Sequence, residues 1–160
     1  MRILLVGAGG VGTAFARIAA RREFADLVVA DYDLTRAQHA AAAKDGYRAV
    51  RLDARDEQAT AALLAEHSCY VLMNATDPRF VMPLFRAALT AGTHYLDMAM
   101  SLSHPHPGEP YAKTGVKLGD EQFAMADEWG AVREAGAGRD GRRAGALGRV
   151  RQVRRRRAVP

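Results

Sequence analysis

Short apolar runs alternate with longer segments of helical periodicity along the first hundred residues. Each run has the length of a strand buried on both faces, and each longer segment has the alanine- and leucine-rich composition of a helix. The pattern predicts strands at residues 3–6, 27–30, 47–52, 70–74 and 94–98, and helices at 10–22, 35–44, 56–67 and 78–91. Such alternation indicates an α/β fold, a doubly wound parallel sheet with helices on both faces.

The turn after the first predicted strand has the sequence GAGGVG at residues 7–12. In this pattern the first glycine permits a sharp turn, the second lets a diphosphate touch the backbone, and the last lets the helix pack on the strand. The following helix turns its unpaired N–H groups and positive dipole end toward the phosphates. The loop therefore predicts a Rossmann-type dinucleotide site, and the residues we assign to it are Gly7, Gly9, Gly10, Val11 and Gly12.

The second predicted strand ends at Asp31, nineteen residues after Gly12. An acid at this distance from the glycines accepts hydrogen bonds from the adenosine ribose. Because Asp31 would bind a free 2′-hydroxyl and repel a 2′-phosphate, we expect NAD to be favoured over NADP. Arg36 leaves NADP open, since a guanidinium there could neutralise the phosphate, although surface arginines commonly face solvent.

Polar and small residues follow the third and fourth predicted strands, where the carboxyl edge of a parallel sheet faces its ligand crevice. Asp53 ends the third strand and is a candidate for the adenine edge. Asn74 and Ala75 end the fourth, where a small loop can pass the diphosphate and the nicotinamide ribose. Loop acids and amides also cap helices and turns, so a structural role for Asp53 and Asn74 stays open.

Charge divides the chain into two parts. The whole sequence of 160 residues carries a formal charge of +5, but residues 130–160 contain ten arginines against Glu134 and Asp140. The first 129 residues are therefore mildly acidic, and they have the length of one domain of ordinary size. We expect residues 1–129 to form the dinucleotide-binding domain and the basic tail, residues 130–160, to be disordered, with salt-sensitive, nonspecific contact to nucleic acid or other anions.

Neither a metal site nor a membrane span is indicated. Cys69 is the single cysteine, so we expect a reduced thiol in the core. His104 and His106 flank a proline with no third ligand nearby, which favours solvated loop histidines over a metal site. No apolar run has the length of a membrane span, and the chain opens on a strand, which favours a cytoplasmic protein.

Residues 1 to about 129 resemble the NAD(P)-binding domain of the saccharopine dehydrogenase-like family. The resemblance is carried by the glycine loop, by Asp31, by the sequence NATDP at residues 74–78 and by AGTHYLD at residues 91–97. It implies an oxidoreductase that transfers hydride between a nicotinamide and the carbon of an imine or secondary amine joining amino acids. It also implies that Asn74 and Ala75 line the nicotinamide side. Catalytic residues and the binding of a small amino-acid-derived substrate would belong to a later domain of a full-length relative, so no catalytic residue is assigned here.

The basic tail departs from that family. Back-translated with GC-rich codons and read one base later, residues 133–156 can give GRLALVGMGVEPGLSDVFAKYAA, which contains an apolar strand pattern and a Pro-Gly turn. A frameshifted, truncated gene or a sequencing error therefore explains the tail better than an evolved basic segment. We expect a chain that binds dinucleotide, is catalytically impaired alone and can form a homodimer through exposed sheet edge. The alternative is an NAD(H)-sensing regulatory module without catalysis.

Overall fold

The computed structural model describes residues 1–137, with side chains described to residue 132. Five strands are present in this part of the chain: β1 (Arg2–Val6), β2 (Asp26–Asp31), β3 (Arg48–Arg51), β4 (Val71–Asn74) and β5 (His94–Asp97). Six helices accompany them: α1 (Gly10–Ala19), α2 (Leu34–Ala41), α3 (Glu57–Glu66), α4 (Val81–Ala91), α5 (Asp120–Ala124) and α6 (Ala126–Ala137). A 3₁₀ turn, Pro78–Phe80, precedes α4.

The strands form one parallel sheet in the order β3-β2-β1-β4-β5. From β1 the chain adds β2 and β3 on one side, then crosses back over β1 and adds β4 and β5 on the other side. This confirms the predicted doubly wound, Rossmann-type α/β fold.

Each face of the sheet has its own apolar core because successive side chains on a strand point to opposite faces. Ile3 and Leu5 of β1 pack under α1 and α2, together with Leu27, Val29 and the alanines of those helices. Leu4 and Val6 pack on the other face, against α3 and α4. Residues 3–6, 27–30 and 71–73 of the three central strands are therefore apolar without interruption, whereas the outer strands β3 and β5 carry polar residues.

Helix ends are set by short acids and one glycine. The carboxylates of Asp33, Asp56 and Asp77 accept backbone N–H bonds at the starts of α2, α3 and the 3₁₀ turn. Gly92 ends α4 in the left-handed conformation, with φ +65°. Pro83 lies in the first turn of α4, where its missing N–H breaks no helical bond.

The segment after β5 is mostly irregular before it turns helical. His104 and Val116 form an isolated antiparallel bridge, and α5 and α6 then cover part of the face that carries α4. The last helix, α6, continues through Gly130 to Ala137. Residues 138–160 lie outside the described residues, and most of the predicted basic tail falls there.

Candidate functional site

A cleft opens between the carboxyl ends of β1 and β4, where the order in which the chain adds strands to the sheet reverses. It has a volume of about 400 Å³. Its walls are formed by the glycine loop after β1, the end of β2, the turn after β3 and the loop after β4. Ligands of open α/β sheets bind at this switch point, because the loops after β1 and β4 diverge there.

Gly7 and Gly12 are required by the protein itself. Gly7 has φ +97°, and a Cβ there would lie 2.7 Å from the carbonyl oxygen of Ala75. A Cβ on Gly12 would lie 1.8 Å from the carbonyl oxygen of Gly7. These two glycines let β1, α1 and the loop after β4 pack at backbone distance.

Gly9, Gly10 and Val11 face open space. A Cβ on Gly9 would meet only a guanidinium nitrogen of Arg36, at 3.5 Å, and a Cβ on Gly10 would meet nothing within 4 Å. Val11 is 53% exposed. Gly9 is the N-cap of α1, and no side chain caps this helix end. Packing within the chain thus does not account for glycine at Gly9 and Gly10, and the first N–H groups of α1 are directed at this space.

Asp31 holds the glycine loop against β2. One carboxylate oxygen accepts the Ala8 N–H at 2.7 Å, and the other accepts the Asp33 N–H at 2.9 Å. The residue is 8% exposed and lines the cleft. A carboxylate has about four acceptor positions, so Asp31 retains capacity for a hydroxyl donor after both bonds are made.

Two exposed side chains beside Asp31 extend the wall of the cleft. Arg36 in the first turns of α2 lies over Gly9, and Tyr32 follows Asp31 directly. The guanidinium of Arg51 lies 5.1 Å from the centre of the Tyr32 ring, within cation–π range. Sequence reasoning identified Arg36 but missed Tyr32, although its place after the strand-end acid was a usable signal.

Asp53 lines the cleft, but its carboxylate is already hydrogen-bonded within the protein. Arg55 binds its two carboxylate oxygens through Nε and a terminal nitrogen, at 2.7 to 3.2 Å, and also donates its backbone N–H. These hydrogen bonds lower the pKa of Asp53 to about 2. Asp77 at the opposite wall is paired with Arg79 in the same way, and its pKa is lowered too. Both acids stay ionised at neutral pH.

Asn74 is buried at the end of β4 and positions the loop that follows this strand. It is 2% exposed; its amide nitrogen donates to the Tyr95 hydroxyl at 3.0 Å, and its oxygen accepts the N–H and hydroxyl of Thr76. Burial raises the pKa of Tyr95, which therefore stays protonated. Asn74 thus positions Ala75 and Thr76, which line the cleft, while its own polar atoms already have partners.

The predicted loop histidines lie away from the cleft. His104 takes part in the bridge to Val116, and the ring Nδ1 of His106 accepts the N–H groups of Gly108 and Glu109. Among the described residues, no group of three His, Cys, Asp or Glu side chains is placed to hold a metal ion. None of the described helices combines the length and the apolar character that crossing a membrane requires.

The family model for the saccharopine dehydrogenase NADP binding domain matches residues 3–136. The chain belongs to this family, and it contains the NADP-binding domain of saccharopine dehydrogenase-like oxidoreductases.

A curated relative agrees with this assignment. Carboxyaminopropylagmatine dehydrogenase of a Synechocystis strain is 33% identical over 101 residues, which are 61% of this chain and 25% of that protein. The chain therefore spans about a quarter of the length of this curated relative.

Solved structures share the fold. Saccharopine dehydrogenase (L-Glu forming) of Saccharomyces cerevisiae superposes with a TM-score of 0.55 at 24% identity, over 66% of this chain and 22% of that one. Leucoanthocyanidin reductase of Vitis vinifera, solved with NADPH, gives 0.54 at 16% identity, over 83% of this chain and 47% of that one.

Proposed function

We propose that this chain binds a nicotinamide dinucleotide in the switch-point cleft, as the cofactor-binding part of an oxidoreductase acting on C–N bonds. The observation that carries the proposal is the open space at Gly9 and Gly10. A side chain there would fill the space at the start of α1, where the guanidinium of Arg36 is the one neighbouring group within 4 Å. A diphosphate fits this space, because N–H groups and the helix dipole stabilise negative charge without a cationic side chain.

Each wall of the cleft suits one part of the cofactor. Asp31 would accept the adenosine ribose hydroxyls, the surface between Tyr32 and Asp53 would take the adenine, and Ala75 would face the nicotinamide side. The bound cofactor would supply or accept a hydride. The residues of this chain would bind and orient it, and the buried bonds of Asn74 would keep Ala75 and Thr76 in place.

We further propose that NAD is favoured over NADP. A 2′-phosphate would lie beside the Asp31 carboxylate, and Arg36, a possible compensating charge on the cleft wall, is exposed to solvent. Asp31 itself is a poor test of this preference, because its replacement would also release the Ala8 N–H from the glycine loop.

Arg36→Gln is the better test, because this side chain makes no hydrogen bond or ion pair within the described structure. We expect the variant to weaken NADH and NADPH binding by similar small factors. A loss of tenfold or more confined to NADPH would show that Arg36 binds a 2′-phosphate and would overturn the NAD preference.

The chain alone should turn over little substrate. A general acid works best with a pKa near the working pH, whereas Asp53 and Asp77, the cleft acids on either side of Asp31, have lowered pKa values. A hydride donor without a positioned acceptor also lacks proximity and orientation, worth roughly 7 to 11 kcal/mol of barrier. Tight binding of NADH with no turnover of any amino-acid and keto-acid pair would equally fit the regulatory module that senses NAD(H).

The binding proposal is tested with Gly9→Val and a matched control, Gly108→Val. Both glycines have negative φ, and neither Cβ would be crowded, but Gly108 lies in the loop after β5. In titrations followed by nicotinamide fluorescence, Gly9→Val should lose at least tenfold in NADH affinity while Gly108→Val binds like the parent chain. Equal NADH affinity of the two variants would contradict the assignment of the diphosphate to the glycine loop.

A further inference from the structure

A second concave site lies beside the carboxyl end of β5, outside the dinucleotide cleft. This β5 groove has a volume of about 430 Å³, which is within the range of pockets that bind small ligands. Residues of β5 and α4 form one part of its wall, and residues of α5 and α6 form the other. The side chains that carry the argument below are Phe85, Tyr95, Asp97, Gln122, Phe123 and Trp129.

Aromatic rings form much of the wall of the β5 groove. The ring of Phe85 lies 5.1 Å from that of Tyr95, nearly perpendicular to it, and 4.9 Å from that of Trp129, measured between centroids. Phe123 also lines the groove and is 67% exposed. The faces of aromatic rings carry negative electrostatic potential and attract cations. The wall therefore suits an alkyl chain or a cationic group better than an anion.

Asp97 supplies the charge of the groove. Its carboxylate is half-buried, and one oxygen accepts the Gln122 side-chain N–H at 3.1 Å. Among the residues that the structure describes, no Lys, Arg or His lines the groove or forms an ion pair with Asp97. A carboxylate has about four acceptor positions, so Asp97 retains capacity for further N–H donors. Since charges interact more strongly away from bulk water, this carboxylate favours a cationic ligand.

Gln122 holds the Asp97 carboxylate in a fixed position. The amide nitrogen of Gln122 donates to Asp97, while its amide oxygen accepts the backbone N–H of Ser101 at 2.9 Å. Ser101 is 2% exposed, so this anchor is buried. A carboxylate that is oriented before the ligand arrives loses less conformational entropy on binding, which raises its affinity for a cation.

The β5 groove and the dinucleotide cleft open at the same edge of the sheet. Asp97 is the register partner of Asn74, and neighbouring strands lie only about 4.8 Å apart. Asn74 in turn bonds to Thr76, which lines the cleft next to Ala75. A ligand in the groove would thus lie beside the part of the cleft that we assign to the nicotinamide.

We propose that the β5 groove binds a small organic cation, an alkyl ammonium or guanidinium group, with Asp97 as its counter-ion and the aromatic rings beside its alkyl chain. That this cation is the charged end of the amine substrate rests on the proposed function. Binding of the cation itself does not, because the groove and the glycine loop share no residue.

Three probes with the same alkyl chain test the charge preference: butylammonium, 1-butanol and butyrate. They are titrated into the parent chain without dinucleotide, and binding is followed by the NMR shift of the Trp129 indole N–H, the single tryptophan. Butylammonium should bind at least tenfold more tightly than 1-butanol, and butyrate should bind more weakly than 1-butanol.

Two variants test the counter-ion. Asp97→Asn keeps the size of the side chain and an acceptor for Gln122, so it should lose at least tenfold in butylammonium affinity while its 1-butanol affinity stays unchanged. Glu128→Gln is the matched control, because it removes the same charge from an exposed residue next to Trp129 that does not line the groove. This control should bind all three probes as the parent chain does.

Several results would overturn the proposal. Equal affinity of the parent chain for butylammonium and 1-butanol, or no shift with any probe, would show that the groove does not select a cation, even if Asp97→Asn failed to fold. Equal losses in Asp97→Asn and Glu128→Gln would show a general charge effect without a counter-ion role for Asp97.

One further outcome would identify a different occupant. Trp129 shifts that appear on concentrating the protein without a probe would assign the groove to a side chain of a second copy. Because these titrations contain no dinucleotide, failure of NADH to bind the glycine loop would leave their result unchanged. Failure of butylammonium to bind would likewise leave the dinucleotide site unaffected.

Discussion

Gly12→Ala should destabilise the fold, whereas Gly10→Ala in the same helix should not. The added methyl group of Gly12→Ala would lie 1.8 Å from the Gly7 carbonyl oxygen and 2.9 Å from its carbon. Both contacts are with backbone, so a side-chain rotation cannot relieve them, and α1 must move away from the end of β1. At Gly10 the same methyl group meets nothing within 4 Å.

The size of the effect follows from two opposing contributions. Overpacking of a well-packed region costs about 1–3 kcal/mol and occasionally more, and this overlap requires a shift of more than an ångström. Alanine in place of glycine within a helix stabilises the helix by up to about 1 kcal/mol. We therefore expect Gly12→Ala to lose roughly 2 kcal/mol in free energy of unfolding, or about 8 °C in Tm for a domain of this size.

Urea unfolding measures the difference, followed by circular dichroism of the helices and by the fluorescence of Trp129, the single tryptophan. Gly10→Ala is the matched control and should unfold at or slightly above the urea midpoint of the parent chain. Identical midpoints for the two variants would refute the argument that Gly12 is required for packing of α1 on β1.

Three further predictions concern ionisable groups. Burial raises the pKa of the Cys69 thiol to about 11. The fold thus favours the neutral thiol, so the stabilisation is present below about pH 9 and is lost as the pH rises toward 11. The free energy of unfolding of the parent chain, measured with urea, should fall over this range relative to that of Cys69→Ala, by at most about 1.4 kcal/mol per pH unit. Tyr95→Phe should cost about 1–3 kcal/mol in free energy of unfolding, because it leaves the buried Asn74 amide unpaired; an unchanged urea midpoint would contradict this. Arg55→Gln should raise the pKa of Asp53 from about 2 toward its ordinary range, measured by NMR titration of the carboxyl carbon; no change would mean that Arg55 does not hold it.

The sequence predicted the fold because its patterns are local. The strands lie within one or two residues of their predicted positions, since loop residues bound each of them and the three central strands consist mainly of continuous apolar runs. Helix ends were less accurate: α1 ends at Ala19 and α2 at Ala41, each three residues before the predicted ends at 22 and 44. Arginines, lysines and alanines continue a helical pattern past the point where the backbone leaves the helix, so composition does not mark these ends.

The glycine loop shows the limit of sequence reasoning at the site. The pattern GAGGVG located the loop, but only the structure separates Gly7 and Gly12, which the protein needs for its own packing, from Gly9 and Gly10, which face open space. That distinction depends on the distance between β1, α1 and the loop after β4. Residues about seventy positions apart are brought into contact there, and no local pattern records this approach.

The amino-acid sequence by itself determined the order of strands and helices, the glycine loop and the strand-end residues, because hydrophobic period and turn chemistry act over a few neighbouring positions. Only the tertiary structure decided which partners the polar groups of the site bind. Asp31 accepts hydrogen bonds from two backbone N–H groups, Asp53 pairs with Arg55, and Asn74 donates to Tyr95. Within residues 1–137 the tertiary structure also left the outer edge of β5 without a paired strand. Hydrogen bonds and burial between distant segments exist only once the sheet has formed, so these assignments required the folded chain.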